Sequence, residues 1–247
     1  IEGRQQPRGC YYFERQLTKL RVRVNLGVKV DIGLIERERP QVVILSTGSL
    51  PVIPPIPGVK GKNVVLARDI LEKRVPVGNP VAIIGGGSVG CEVALYVAKL
   101  GGMSPEVALF LLKNQVIDLP NALLRTTRGH RKVTVLEMKK RVGSGFGLST
   151  RWVILQEMEE AGIEALTGVK VKEIREGPSS GILFEKEGKE TFLPAETVIL
   201  ATGYMPNNSL YQQLDSLVPE VYTIGDCVKV RTAMEAVHEG FKVSLEI

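Results

Sequence analysis

Cysteine, histidine, aromatic residues and long apolar runs are all scarce in this chain. Its three cysteines, Cys10, Cys91 and Cys227, are scattered through 247 residues with no CxxC pair. That spacing encodes neither a disulfide framework nor a zinc or iron–sulfur ligand set. The two histidines, His130 and His238, have no partners at ligand or triad spacing and are expected at the surface. Apolar runs such as Val42–Leu45 and Val107–Leu112 fall far short of the roughly 18 residues a membrane helix requires, so no membrane span is expected. Lysine and arginine outnumber acids by only 32 to 27, interleaved along the chain and without a basic stripe carrying aromatics. Nucleic acid is therefore not an expected partner. With 44% apolar and 24% charged residues, the balance is that of a soluble globular protein with a sizeable core, and sparse cysteine fits a reducing, cytoplasmic setting.

What is present begins with an internal echo. Val22–Val30, broken by Gly27, resembles Ile163–Val171, broken by Gly168. Downstream, Val43-Ile-Leu-Ser-Thr-Gly48-Ser-Leu-Pro51 resembles Val198-Ile-Leu-Ala-Thr-Gly203-Tyr-Met-Pro206. Two matched pairs in the same order predict two copies of one plan, with strands at each position. The second copy has extra residues, which read as a β-hairpin turning at Glu187-Gly188-Lys189. It is also introduced by a buried-type strand (Val81–Ile84), a glycine turn and an amphipathic stretch to Leu100, with Gly101-Gly102 as its C-cap. The first copy is preceded only by a predicted helix at Tyr11–Leu20. By its own symmetry it lacks an opening strand, glycine turn and helix, and the chain reads as a portion of a longer polypeptide. Elsewhere, residues 51–62 read as a stiff Pro/Gly linker, residues 103–129 as an irregular, partly helical insertion, and Ser149 as the N-cap of a helix through Ala161. A short strand ending at Gly225-Asp226 precedes a helix over about 232–247. The opening Ile1-Glu2-Gly3-Arg4 matches a protease-recognition tetrapeptide, and nothing rests on it.

The chemistry sits at Gly85-Gly86-Gly87-Ser88-Val89-Gly90, a G-x-G-x-x-G run after a buried strand and at the start of a helix. In that context the first glycine permits a tight turn and the second admits a pyrophosphate to the backbone. The third lets helix and strand approach, and the helix N-terminus faces the phosphate charge. The acid expected after the next strand is Glu137, which lies 47 residues past Gly90, against a usual interval of about 20. The insertion accounts for the excess. A carboxylate there would bond ribose hydroxyls and repel a 2′-phosphate, favouring NADH; Lys139, Lys140 and Arg141 would favour NADPH. Asp226 is a candidate for a ribityl or ribose hydroxyl, although a strand-terminal Gly-Asp is also ordinary turn chemistry. Cys91 and Cys227 read as small buried hydrophobes. Gly143-Ser-Gly145-Phe-Gly147 reads as a connection into the next helix, with a mobile loop near the nicotinamide as the alternative.

Ala82–Glu92, Val133–Glu137, Val198–Gly203 and Thr223–Asp226 together resemble the two-dinucleotide-binding-domain flavoproteins. Within that group, Arg141–Trp152, the insertion opening Ser104-Pro-Glu and the tail Glu235–Ile247 resemble the C-terminal half of the bacterial NADH:flavin oxidoreductases, relatives of 2,4-dienoyl-CoA reductase, 2-enoate reductase and trimethylamine dehydrogenase. The resemblance implies an α/β, Rossmann-like fold with parallel sheets. A partial FAD domain (residues 1–76 and 206–247) would surround an NAD(P)H domain (residues 77–205). It implies that Gly85, Gly86, Gly87, Ser88, Val89 and Gly90 hold the nicotinamide dinucleotide pyrophosphate, with Glu137 and Lys139 at its ribose and Thr202-Gly203 beside it. Glu92 would point toward the nicotinamide–flavin contact, and Gly48, Gly225 and Asp226 would lie on the FAD side. Full-length members carry an N-terminal barrel with FMN and a four-cysteine iron–sulfur cluster; the barrel, the cluster and an FAD glycine fingerprint are not in this sequence. The implied activity is hydride transfer from NADH to FAD, serving reduction of an unsaturated acyl or enoate substrate. No side chain here is required as an acid, base or nucleophile. A non-catalytic NADH-binding module is the main alternative; a stand-alone disulfide reductase is a third, disfavoured because no Cys-x4-Cys pair is present. The partners implied are the dinucleotides and the missing barrel and FAD segment, and apolar surface on a partial lobe would favour homo-oligomers.

Overall fold

The computed structural model describes residues 8–214 and 216–247; the opening tetrapeptide lies outside them. In chain order the elements are α1 (Arg8–Lys19), α2 (Ile32–Glu38), β1 (Val42–Leu45), β2 (Ser49–Pro51), β3 (Val64–Leu66), α3 (Ala67–Leu71), β4 (Val81–Ile84), α4 (Ser88–Lys99), α5 (Pro105–Lys113), α6 (Leu119–Thr127) and β5 (Val133–Glu137). There follow α7 (Leu148–Glu160), β6 (Glu164–Thr167), β7 (Val169–Arg175), β8 (Gly181–Lys186), β9 (Lys189–Pro194), β10 (Thr197–Leu200), β11 (Tyr204–Pro206), α8 (Tyr211–Leu214), β12 (Glu220–Thr223) and α9 (Ala233–Val243).

Five strands form a parallel sheet in the order β3-β10-β4-β5-β6. Every residue of β4, β5 and β10 is buried, which explains why these strands read as continuous apolar runs rather than alternating ones. The period of two still operates beneath that pattern. Val81 and Ile83 of β4, Val133 and Val135 of β5 and Ile199 of β10 face one core, with Ile70 of α3, Cys91, Val93 and Val97 of α4 and Met158 of α7. Ala82, Ile84, Leu136, Val198 and Leu200 face a second core with Ile174, Ile182 and Phe184 of the antiparallel β7-β8-β9 sheet. The domain is thus layered: helices, parallel sheet, antiparallel sheet. β3 joins the parallel sheet although it precedes residue 77.

The insertion is more regular than its sequence suggests. It folds as a helix pair, α5 and α6, each opened by a side-chain cap, Ser104 accepting from the Val107 amide and Asp118 from the Asn121 amide. The hairpin turning at Glu187-Gly188 forms as predicted between β8 and β9. The C-terminal helix α9 opens on a Thr232/Glu235 capping box. Among the described residues, no helix is long and apolar enough to cross a membrane.

Three expectations change. Residues 22–30 form no strand; Val22, Val24, Leu26, Val28 and Val30 are 46–87% exposed. The same pattern at 163–171 does form β6 and β7, because β5 and β8 stand ready to pair with it. A strand's polar backbone requires a ladder partner, and alternation alone supplies none. Ser149 is not an N-cap, since α7 begins one residue earlier behind Gly147. Finally, α9 ends at Val243, short of residue 247.

Candidate functional site

The glycine turn stands at the C-terminal end of β4. Gly85 adopts φ +106°, and a Cβ there would lie 2.3 Å from the Ala201 carbonyl oxygen. Its turn is therefore closed to other residues and butts against the end of β10. At Gly90 an added Cβ would fall 1.9 Å from the Gly85 carbonyl oxygen, so helix and turn are in direct backbone contact. Gly87 is different: an added Cβ meets nothing nearer than the Ser144 carbonyl oxygen at 3.6 Å, leaving its face open. These are the three tasks the spacing implied.

The amides of this turn divide into two sets. Gly85 donates to the Leu136 carbonyl (2.9 Å), Gly86 to Glu137 Oε2 (2.6 Å) and Ser88 to the Ser144 carbonyl (2.9 Å). The amides of Gly87, Val89 and Gly90 donate to no acceptor among the described residues. Three unsatisfied N–H groups at the head of a twelve-residue helix concentrate the positive end of its dipole.

Glu137, at the C-terminal end of the adjacent strand β5, is only 8% exposed. Its Oε2 accepts from Gly86 and its Oε1 from the Lys139 amide at 2.8 Å. The long sequence interval therefore does not separate acid from turn, because α5 and α6 loop out between α4 and β5. Lys139, Lys140 and Arg141 are exposed just beyond. Glu92 stands exposed on α4, just past its first turn.

The loop after β5 does more than connect. Gly143 donates to the Gly86 carbonyl (2.7 Å), and Ser144 forms a bridge to Gly87. Arg151, from the first turn of α7, donates twice to the Val142 carbonyl, at 2.7 and 3.2 Å. Val142 is buried beneath Gly86. Val142, Ser144 and Arg151 were not singled out from sequence. The glycine spacing at 143–147 is the signal in the sequence that points to this loop.

Thr202 and Gly203 line a narrow cleft with Val89. They also take part in an exchange that mirrors the echo. β2 and β11 pair antiparallel with Leu50 opposite Met205, the equivalent residues of the two copies. Thr47 Oγ1 donates to the Asn207 carbonyl (2.5 Å) and Thr202 Oγ1 to the Val52 carbonyl (2.6 Å). The Val52 amide donates to the Gly203 carbonyl and the Asn207 amide to the Gly48 carbonyl, both at 3.0 Å. The two copies thus meet about a local twofold, with Gly48 and Gly203 at opposite ends of one short ribbon.

On the Gly48 side, Ser49 donates to Asp226 Oδ2 at 3.4 Å, and Asp226 Oδ1 accepts from the Arg231 amide at 3.1 Å. The Gly225 amide donates to Glu239 Oε2 at 2.7 Å, and Glu239 is also paired with Arg231. The Arg231 guanidinium, helped by that amide, holds the Glu239 carboxyl below its usual range. The structure brings Gly48 and Asp226 together, but in a network already joined by protein donors. Cys91 is fully buried; burial pushes its thiol pKa up, outweighing the Gly143 amide that lowers it, so the helix dipole does not make it reactive. Cys227 is buried with its Sγ directed at the Leu45 and Ile224 carbonyls.

A match to a known family, described as pyridine nucleotide-disulphide oxidoreductase, covers residues 35–240. The chain is 37% identical over 204 residues to a metal reductase of Desulforamulus reducens, covering 83% of this chain and 30% of that protein. It is 33% identical over 241 residues to an NADH oxidase of Thermoanaerobacter brockii, covering 96% and 32%. Among solved structures it superposes on a 2-naphthoyl-CoA reductase with a TM-score of 0.76 at 28% identity, covering 96% of this chain and 31% of that one. The chain thus spans about a third of the length of each of these relatives. By fold, by the build of its glycine turn and by this match, the chain belongs to the pyridine nucleotide-disulphide oxidoreductase family.

Proposed function

We propose that this chain is the pyridine-nucleotide-binding portion of a flavin-dependent oxidoreductase, and that it takes NADH in preference to NADPH. One observation carries the reading: three unsatisfied amides, at Gly87, Val89 and Gly90, lie beside a carboxylate that Gly86 holds at 2.6 Å. The amides would receive the pyrophosphate. Each Glu137 oxygen retains a lone pair for a ribose hydroxyl. Because both oxygens are tied to backbone amides, the carboxylate is not free to swing aside, and a 2′-phosphate would meet its charge directly. Gly203, in the link between β10 and β11, and Glu92 would face the nicotinamide half.

For the flavin, this chain offers Gly48 and the Gly225–Asp226 turn. Their amide and carboxylate are largely engaged, and no second glycine fingerprint follows a strand. These residues fit the rim of an FAD site but not its diphosphate cradle. In the intact protein the reduced nicotinamide supplies a hydride that the flavin accepts, and the protein's share is to orient the two rings. The division into residues 1–76 and 206–247 around 77–205, the FMN and iron–sulfur centres of an N-terminal barrel, and an unsaturated acyl or enoate substrate belong to the same proposal. The relatives named NADH oxidase and 2-naphthoyl-CoA reductase support it. The alternative, an NADH-binding module without turnover, is favoured by the engagement of the Gly225 amide and the Asp226 carboxylate with other protein groups.

The visible spectrum of the purified chain, before and after NADH, separates these readings. A yellow protein that bleaches supports a competent flavoenzyme. A colourless protein that quenches NADH fluorescence supports the binding module. A protein that does neither refutes the site.

A further inference from the structure

At the opposite end of the parallel sheet from the glycine turn, a cleft of about 710 Å³ opens where the α5–α6 pair leans on the starts of the strands. Lys132, which precedes β5, and Glu137, which ends it, are separated by about 16 Å of extended chain, so the two sites are distinct. Arg125, Arg128, Arg131 and Lys132 line the cleft together with His130, and among the described residues no aspartate or glutamate does.

These cations are not equivalent. Arg131 is committed to the fold: its guanidinium donates to the Val77 carbonyl at 3.2 and 3.4 Å and to the Leu100 carbonyl at 3.1 Å, closing the C-terminal end of α4. Arg128, at the end of α6, leans over Gly162 at the end of α7. The side chains of Arg125, Arg128 and Lys132 have no hydrogen-bond or ion-pair partner among the described residues. The carbonyl ends of α4, α6 and α7 converge here, and they account for placing cations nearby. They do not account for an open cleft walled by cations and left without any acid.

We propose that this cleft binds a small organic anion carrying at least two phosphoryl groups. Guanidinium forks match phosphoryl oxygens in shape and charge. The volume lies in the range of about 300–1,000 Å³ typical of small-molecule sites, far more than a single inorganic ion fills. Met103, Val107 and Leu124 supply an apolar wall on the insertion side for the organic part. Because the walls come from both the insertion and the ends of α4 and α7, occupancy would clamp the helix pair to the sheet.

Inorganic pyrophosphate is the probe, titrated calorimetrically into the whole chain with NADH at saturation. One saturable site per chain is expected. Arg125→Gln with Lys132→Gln, two exposed positions, should weaken it at least tenfold without changing Tm, whereas Gly87→Ala, at the opposite end of the sheet, should leave it intact. The proposal is overturned if no saturable site is found, if the double substitution leaves affinity unchanged, or if Gly87→Ala abolishes binding. It is equally overturned if hexaglutamate binds more tightly than pyrophosphate, since the cleft would then be a surface for an acidic protein. The Gly87→Ala arm reports on the NADH reading separately, so failure of either idea is distinguishable from failure of the other.

Discussion

Gly87→Ala separates the needs of the fold from those of the ligand. Gly87 sits at φ −69°, ψ −171°, a conformation open to every L-residue. The new methyl would meet only Ser144, whose carbonyl oxygen is 3.6 Å and hydroxyl oxygen 3.9 Å away. Replacing glycine where the backbone is already compatible stabilises by about 0.4–1 kcal/mol, through the unfolded chain. For a chain of this size that raises Tm by about 1–4 °C. The same methyl occupies the space in which a diphosphate would approach the free amides of Gly87 and Val89, so NADH affinity should fall at least about tenfold, or about 1.4 kcal/mol. Gly90→Ala is the control in the opposite sense. Its Cβ would lie 1.9 Å from the Gly85 carbonyl oxygen and 2.9 Å from the carbonyl carbon, backbone atoms that a side-chain rotation cannot clear. Overpacking of this kind costs about 1–3 kcal/mol, and Tm should drop. Differential scanning fluorimetry and NADH fluorescence titration on the two variants provide the measurement. A Gly87→Ala protein that loses several degrees of Tm, or binds NADH as well as the parent, would refute the assignment of the turn.

Glu137→Ala should weaken NADH binding more than NADPH binding, and should also lower stability by about 1–3 kcal/mol because the Gly86 amide is left without its acceptor; equal losses for both nucleotides would remove Glu137 from the ribose. Cys91, buried and with its thiol pKa pushed up, should resist iodoacetamide at pH 8 in the native protein and react only after unfolding, as read by mass spectrometry. The Glu239 carboxyl is held below its ordinary range by Arg231 and the Gly225 amide. Its contribution to stability is therefore present above the ordinary glutamate pKa of about 4.3 and lost as pH falls through the lower folded value. Thermal melts of Glu239→Gln should show a smaller loss between pH 5 and pH 3 than the parent, and parallel curves would contradict the pairing.

Much of the site was legible along the chain because its parts are local. Val81–Ile84, the glycines at 85, 87 and 90, and the helix that follows lie within one strand–turn–helix unit, where spacing dictates geometry. Glu137 was found despite its distance because an apolar strand ending in an acid is itself a local pattern. The echo of Thr47-Gly48 in Thr202-Gly203 announced two copies. Their reciprocal hydroxyl bonds across the β2–β11 ribbon were not readable, since they join residues 160 and 150 positions apart. Arg151 and Val142, which brace the turn from below, are near each other in the chain, but the Gly86 they support belongs to an earlier strand–turn–helix unit, so their role is not readable locally. Residues 22–30 mark the converse case: a strand pattern with no strand beside it.

The sequence by itself determined the buried strands, the phosphate-type turn and the acid beside it, because steric freedom at glycine and apolar periodicity act over a few residues. Tertiary structure alone decided which amides remain unsatisfied, that the Glu137 carboxylate is held by the turn, and that Arg125, Arg128 and Lys132 gather around a cleft. Hydrogen-bond satisfaction and charge neutralisation depend on whatever lies nearest in space, and the nearest groups here come from distant parts of the chain.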